Sequence, residues 1–101
     1  MRFLEWIFGK KVDLKEVISN GAVIVDVRTK GEFQSGHLRN SINIPVANLP
    51  QNLKKLNKNK PVITCCASGA RSASARRILK SNGFEHVYNG GSWYGLRKYM
   101  S

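Results

Sequence analysis

The chain has 101 residues, of which 42% are hydrophobic and 9% aromatic, and its 17 Lys and Arg against 6 Asp and Glu give a net charge of +11. These figures fit one globular domain over 1–101 with a single core and exclude a disordered or collagen-like polymer. No stretch approaches the ~20 apolar residues that span a bilayer. The opening "MRFLEWIF" is broken by Arg2 and Glu5 and lacks the apolar region and cleavage site of a secretory signal, so a cytoplasmic protein that does not engage a membrane is expected. Its simplest reading is a first element packed on the core.

Along the chain, Asp13 before "LKEVI" predicts a capped short helix ended by Asn20-Gly21. "AVIVDV" (22–27) is a short β-branched run of the kind found in a strand buried on both faces. "TKGE" (29–32) is a capping box, with Thr29 as N-cap and Glu32 three residues on, and predicts a short helix stopping near Gly36-His37. "SINIP" (41–45) reads as a second strand closed by Pro45. Val46, Leu49, Leu53 and Leu56 then recur at helical spacing, so an amphipathic helix is expected, with Pro50 in its first turn. "PVITCC" (61–66) is a third strand. A helix from about Arg71, with Ile78 and Leu79 on its buried face, should stop at Gly83. "HVYN" (86–89) reads as a fourth strand, followed by Gly90-Gly91 and a terminal helix carrying Trp93, Tyr94, Leu96 and Tyr99. Strands alternating with helices at this spacing predict a three-layer α/β/α fold around a mainly parallel sheet. In such sheets ligands bind beyond the carboxyl ends of the strands.

The charge is uneven. Residues 1–50 carry +2 and residues 51–101 carry +9, with Glu85 the one acid of the second half. Such a half attracts anions: nucleic acid, small oxyanions or an acidic protein. No zinc-finger spacing, RNP motif or recognition-helix pattern accompanies it, so no nucleic-acid partner is expected. Lys54, Lys55, Lys58 and Lys60 read as a solvated face.

Both cysteines, Cys65 and Cys66, fall at the end of the third predicted strand. Adjacent cysteines make a poor structural disulfide, so they read as reduced, reactive thiols. Two registers are open. Counted from Cys65, Arg71 follows after five residues; counted from Cys66, after four. Cys65 should face a helix layer, with Cys66 the first residue to leave the strand. Ala67, Ser68, Gly69 and Ala70 are small enough for a loop that turns its N–H groups inward as an anion nest. The helix that follows aims its N-terminus at the same place. A cysteine there should fall from a pKa of about 8.5 into the range of roughly 3.5–7.5.

The stretch Cys66-Ala67-Ser68-Gly69-Ala70-Arg71-Ser72 resembles the active-site loop of rhodanese-like sulfurtransferase domains. So do "DVR" at 26–28, "EF" at 32–33, "GHL" at 36–38, "NIP" at 43–45 and "NGG" at 89–91, in the same order. The resemblance implies that Cys66 is the catalytic nucleophile and becomes a persulfide, cradled by Ala67, Ser68, Gly69, Ala70, Arg71 and Ser72. Arg71 would steer an anionic donor or, rather more, brace the loop by pairing with a carboxylate, and Asp26 with Arg28 would support it. The implied partners are a small anionic sulfur donor, such as thiosulfate or a persulfide, and a thiol, protein or cyanide acceptor, with no metal and no organic cofactor. Phosphatases and arsenate reductases, which resemble this group, use a loop one residue longer, which Cys65 would restore; a non-catalytic partner-binding module is the other alternative. His37, Trp93 and Tyr94 are secondary candidates, read first as turn cap and core, and either Arg76 or Arg77 is a candidate for the mouth of the site. Asn40 stands where the family often has Gly and can take the same left-handed conformation.

Overall fold

The two longest β-branched runs become the two central strands of a four-stranded, all-parallel sheet of order β2-β1-β3-β4. In this computed structural model, which describes residues 12–100, the strands are β1 (Val23–Asp26), β2 (Ile42–Asn43), β3 (Val62–Cys66) and β4 (Val87–Ser92). The N-terminal element expected from "MRFLEWIF" lies outside the described residues. The helices are α1 (Leu14–Ser19), α2 (Lys30–Gln34) and α3 (Ala70–Ser81). Two 3-10 segments, Val46–Lys55 and Gly95–Tyr99, complete the chain. None of the described helices is long and apolar enough to cross a membrane.

Every residue of β3 is buried because both faces of the sheet are covered. Val25, Val62, Leu79, Phe84 and Val87 meet on one face, under α3 and the first 3-10 segment. Ile24, Ile63, Cys65 and Leu96 meet on the other, with Leu14, Val17 and Tyr99 packed against them. The expected three-layer α/β/α order is therefore observed. Asp13 caps α1 by accepting from the Lys15 and Glu16 amides, and the Thr29–Glu32 capping box opens α2. Asn40 takes the left-handed conformation, at φ 68°.

Four elements differ from their sequence reading. The segment 46–55 is 3-10 rather than α, with non-helical backbone at Asn52. Pro50 is its fifth residue, where an α-helix requires an N–H donor to the Val46 carbonyl, and proline has none. The apolar spacing still places Leu49 and Leu56 in the core. β4 runs on through Gly90-Gly91 to Ser92 instead of ending at Asn89. The ladder slips there: Thr64 pairs with Asn89 but Cys66 pairs with Ser92, which leaves an extra residue in β4. The terminal helix is a 3-10 turn that buries Leu96 and leaves Tyr94 62% exposed. β2 is shortened to two residues, although Ile44 and Val46 continue to donate to the Asp26 and Val27 carbonyls.

Gly90 is where the sheet, the 3-10 turn and the loop crowd together. A Cβ there would lie 2.7 Å from Ile63 Cγ2, 2.9 Å from Leu96 Cδ1 and 2.9 Å from the Thr64 carbonyl oxygen. Gly31, in α2, would meet nothing within 4 Å. Gly90→Ala should therefore lose about 1–3 kcal/mol in denaturant unfolding. Gly31→Ala should be neutral or stabilise by up to ~1 kcal/mol. Equal midpoints for the two variants would refute the crowding.

Candidate active site

Cys65 and Cys66 are consecutive strand residues and so face opposite sides of the sheet. Cys66 is the last residue of β3, not the first beyond it, and it joins the α3-side cluster. Cys65 lies on the other face, fully buried. The two thiols accordingly diverge. Burial, with the Asp26 carboxylate nearby, pushes the Cys65 thiol up to about 12. For Cys66 burial also opposes ionisation, but the Ser72 side chain and the Ser72, Gly69 and Ser68 amides around the sulfur outweigh it and hold the thiol below its ordinary value.

The loop 66–72 is shaped by backbone geometry. Gly69, at φ +113°, is the N-cap of α3, a conformation that L side chains adopt only with strain. That turn brings the Gly69 N–H to 2.9 Å and the Ser72 N–H to 3.4 Å from Cys66 Sγ. Ala67, Ser68 and Ala70 stand exposed around the sulfur. The Ser72 hydroxyl is 3.6 Å from Sγ and 2.6 Å from Asn89 Oδ1. Asn89 Oδ1 also accepts from the Gly91 amide, and its Nδ2 donates to the Gly69 carbonyl, which fixes the orientation of the amide group. The Trp93 amide donates to the Cys66 carbonyl, and the Thr64 hydroxyl to the Ser72 carbonyl. Thus β4 and its bulge hold the loop from one side and β3 from below.

Two ion pairs hold it from the other side. Arg71 grips Glu32 with both terminal nitrogens, Nη1–Oε1 at 2.8 Å and Nη2–Oε2 at 3.1 Å. With Arg71 as the main cause and the Thr29 amide as the next, the Glu32 carboxyl is held at about 2. Arg28 and Asp26 pair with each other at 2.7 Å, both buried. Arg28 further donates to the Glu32 and Gly36 carbonyls and stacks 4.6 Å from the Trp93 ring. Asn43 Nδ2 donates to the Asp26 and Arg28 carbonyls.

The residues singled out in the sequence thus divide. The Ser68, Gly69 and Ser72 amides meet the Cys66 sulfur, whereas the Arg71 side chain turns to Glu32. Asp26 and Arg28 lie on the Cys65 side of the sheet and reach the loop only through α2 and Trp93. His37 Nδ1 donates to the Phe33 carbonyl at 2.7 Å, and its ring stacks on Phe33, so it closes α2 as a cap. Arg76 donates to the Val87 carbonyl and Arg77 to the Ser74 hydroxyl. Lys54, Lys55, Lys58 and Lys60 are exposed. Glu32 and Asn89 are site residues that sequence reasoning passed over. The capping box and the "NGG" motif marked both, but neither signal reports a contact 39 or 17 residues away. An open groove of about 540 Å³ lies elsewhere, walled by Phe33, His37 and Pro45, and Cys66 does not line it. Among the described residues no group of three or more His, Cys, Asp or Glu side chains is placed to hold a metal ion.

A pH series of iodoacetamide labelling should show Cys66 reacting with a midpoint below that of a free thiol, and Cys65 unlabelled at neutral pH while the protein stays folded. Because the pKa of Glu32 is depressed, its grip on Arg71 should persist above the ordinary carboxylate range and be lost as pH falls toward about 2. Equal labelling of the two cysteines at pH 7 would refute the amide geometry.

Residues 11–95 match the family described as Rhodanese-like domain. The uncharacterized protein YqhL of Bacillus subtilis (strain 168) is 37% identical over 68 residues, which is 67% of this chain and 54% of that protein. The chain therefore spans about half the length of this relative. The thiosulfate sulfurtransferase GlpE of Coxiella burnetii (strain RSA 331 / Henzerling II) is 32% identical over 84 residues, 83% of this chain and 71% of that one. Among solved structures, a rhodanese-like domain protein from Staphylococcus aureus superposes with a TM-score of 0.70 at 36% identity, covering 80% of this chain and 81% of that one. With the parallel sheet, the strand-end cysteine and its loop all in the matched region, the chain belongs to the rhodanese-like domain family.

Proposed function

We propose that the protein is a sulfurtransferase in which Cys66 carries sulfane sulfur from a donor to a thiophilic acceptor. The observation that carries this reading is the convergence of the Gly69 and Ser72 N–H groups on Cys66 Sγ. Backbone donors placed there stabilise a thiolate, and they stabilise the charge on a persulfide sulfur as well. With a donor such as thiosulfate, the Cys66 thiolate attacks the outer sulfur. A new S–S bond forms, the donor's S–S bond breaks, and sulfite leaves with its electron pair. The outer sulfur of the Cys66 persulfide then passes to cyanide, or to a thiol on a small molecule or protein, and regenerates the thiolate. Ala67, Ser68, Gly69 and Ala70 form the rim of the site, Ser72 supplies an amide and a hydroxyl, and Arg71 braces the loop. Asp26 and Arg28 support it at one remove. This chemistry requires no metal or organic cofactor.

The phosphatase-type register would make Cys65 the nucleophile. Its fully buried thiol, pushed up to about 12, opposes that assignment. The loop from Cys66 to Arg71 is also one residue shorter than the loop such phosphatases use.

Intact mass after treatment with thiosulfate or, separately, with cysteine persulfide should show a gain of one sulfur that cyanide removes. Cys66→Ser should abolish the gain and all sulfur transfer, whereas Cys65→Ser should keep most of both. Hydrolysis of aryl phosphates should be negligible. Phosphatase activity that disappears in Cys65→Ser would overturn both the register and the function.

A further inference from the structure

Arg71 is the one charged side chain of the loop; the others, Ala67, Ser68, Gly69, Ala70 and Ser72, are small and uncharged. Both terminal nitrogens of Arg71 are engaged by one carboxylate. That carboxylate is itself fixed, because Glu32 Oε1 also accepts from the Thr29 amide at 2.9 Å and the Thr29 hydroxyl at 3.1 Å. The cation of Arg28 is buried against Asp26 on the opposite side of the sheet. A donor at Cys66 therefore meets backbone N–H groups, the partial positive end of α3 and a neutralised ion pair. The charge of +11 attracts every anion to the surface, but salt screens it beyond about 8–10 Å and it does not neutralise charge at the sulfur. Thiosulfate would bring two negative charges against the thiolate.

We infer that Glu32 is a specificity-determining residue. By holding Arg71 at both nitrogens it withholds the site's cation from a dianionic donor, and it matches the loop to a small organic persulfide, R–S–SH. This rests on the sulfur-transfer reading above and names its donor class. The step balances without any further reactant. The Cys66 thiolate attacks the terminal sulfur of R–S–SH, and the Sγ–S bond forms as the donor's S–S bond breaks. The thiolate RS⁻ departs with the electron pair, and the proton stays on the transferred sulfur.

The test compares rates of Cys66 persulfide formation from thiosulfate and from cysteine persulfide, followed by intact mass. Glu32→Gln keeps the acceptor that the capping box needs and removes the charge. It should raise the thiosulfate-to-persulfide rate ratio about threefold to fivefold, the scale of a partly exposed ion pair. Adding Arg71→Gln to that variant should remove the gain. Arg71→Gln alone, an arm independent of how Glu32→Gln folds, leaves the Glu32 carboxylate without its cation and should lower the ratio. A proportional fall of both rates in Glu32→Gln would overturn the inference, because Glu32 would then be only a brace. A ratio in Glu32→Gln/Arg71→Gln well below that of the unmodified protein would overturn it too, because Arg71 would already be gripping that donor. If neither donor adds sulfur to the unmodified protein, the sulfur-transfer reading itself fails, and this inference with it.

Discussion

Backbone N–H groups converge on the Cys66 sulfur, and such groups can be aimed only by fixing the backbone that carries them. That constraint organises this end of the molecule. Gly69 must be left-handed for its own N–H and that of Ser72 to point at one atom. Beside it the β4 bulge carries Gly91 in the left-handed conformation, at φ 78°, and Gly90 where a Cβ has no room. The bulge in turn sets Asn89 against Ser72 and the Trp93 amide against the Cys66 carbonyl. No single side chain builds the site; three strand ends and a helix start do.

Ion pairs contribute by a different route. The Asp26–Arg28 pair lies on the Cys65 face of the sheet. It ties the end of β1 to α2 through the Glu32 and Gly36 carbonyls and to the post-β4 turn through Trp93. Removing one partner of such a buried pair costs about 3–5 kcal/mol, because the other is left as an uncompensated charge. The Glu32–Arg71 pair is partly exposed, so its contribution to stability is small. Its importance is positional: it connects the capping box of α2 to the first turn of α3.

The neighbouring thiols show how far a one-residue step in a strand reaches. Alternation alone places Cys65 against Ile63 and Leu96, and Cys66 against Ala75 and Leu79. The chemical type is the same, yet one thiol is pushed up to about 12 and the other is held below its ordinary value. The sequence reading placed Cys66 one residue beyond the strand, whereas it is the last residue of β3. The amides that matter come from Gly69 and Ser72, downstream of either boundary.

By itself the sequence determined the layered parallel architecture, the strand-end position of the cysteines, the small-residue loop that follows them and the capping box. Each depends on local pattern: β-branched runs, small residues before a helix, a Thr and a Glu three apart. Pro50 shows the limit of periodicity, since the apolar spacing named the buried leucines while the missing N–H chose 3-10 over α. Only the tertiary structure decided that β4 runs on past its glycines, because the bulge exists to match β3 and is invisible in β4 alone. It alone decided that Asp26 and Arg28 pair with each other and that Glu32 is the carboxylate that answers Arg71. Contacts across 39 residues are fixed by how layers pack, and local propensity carries no record of them.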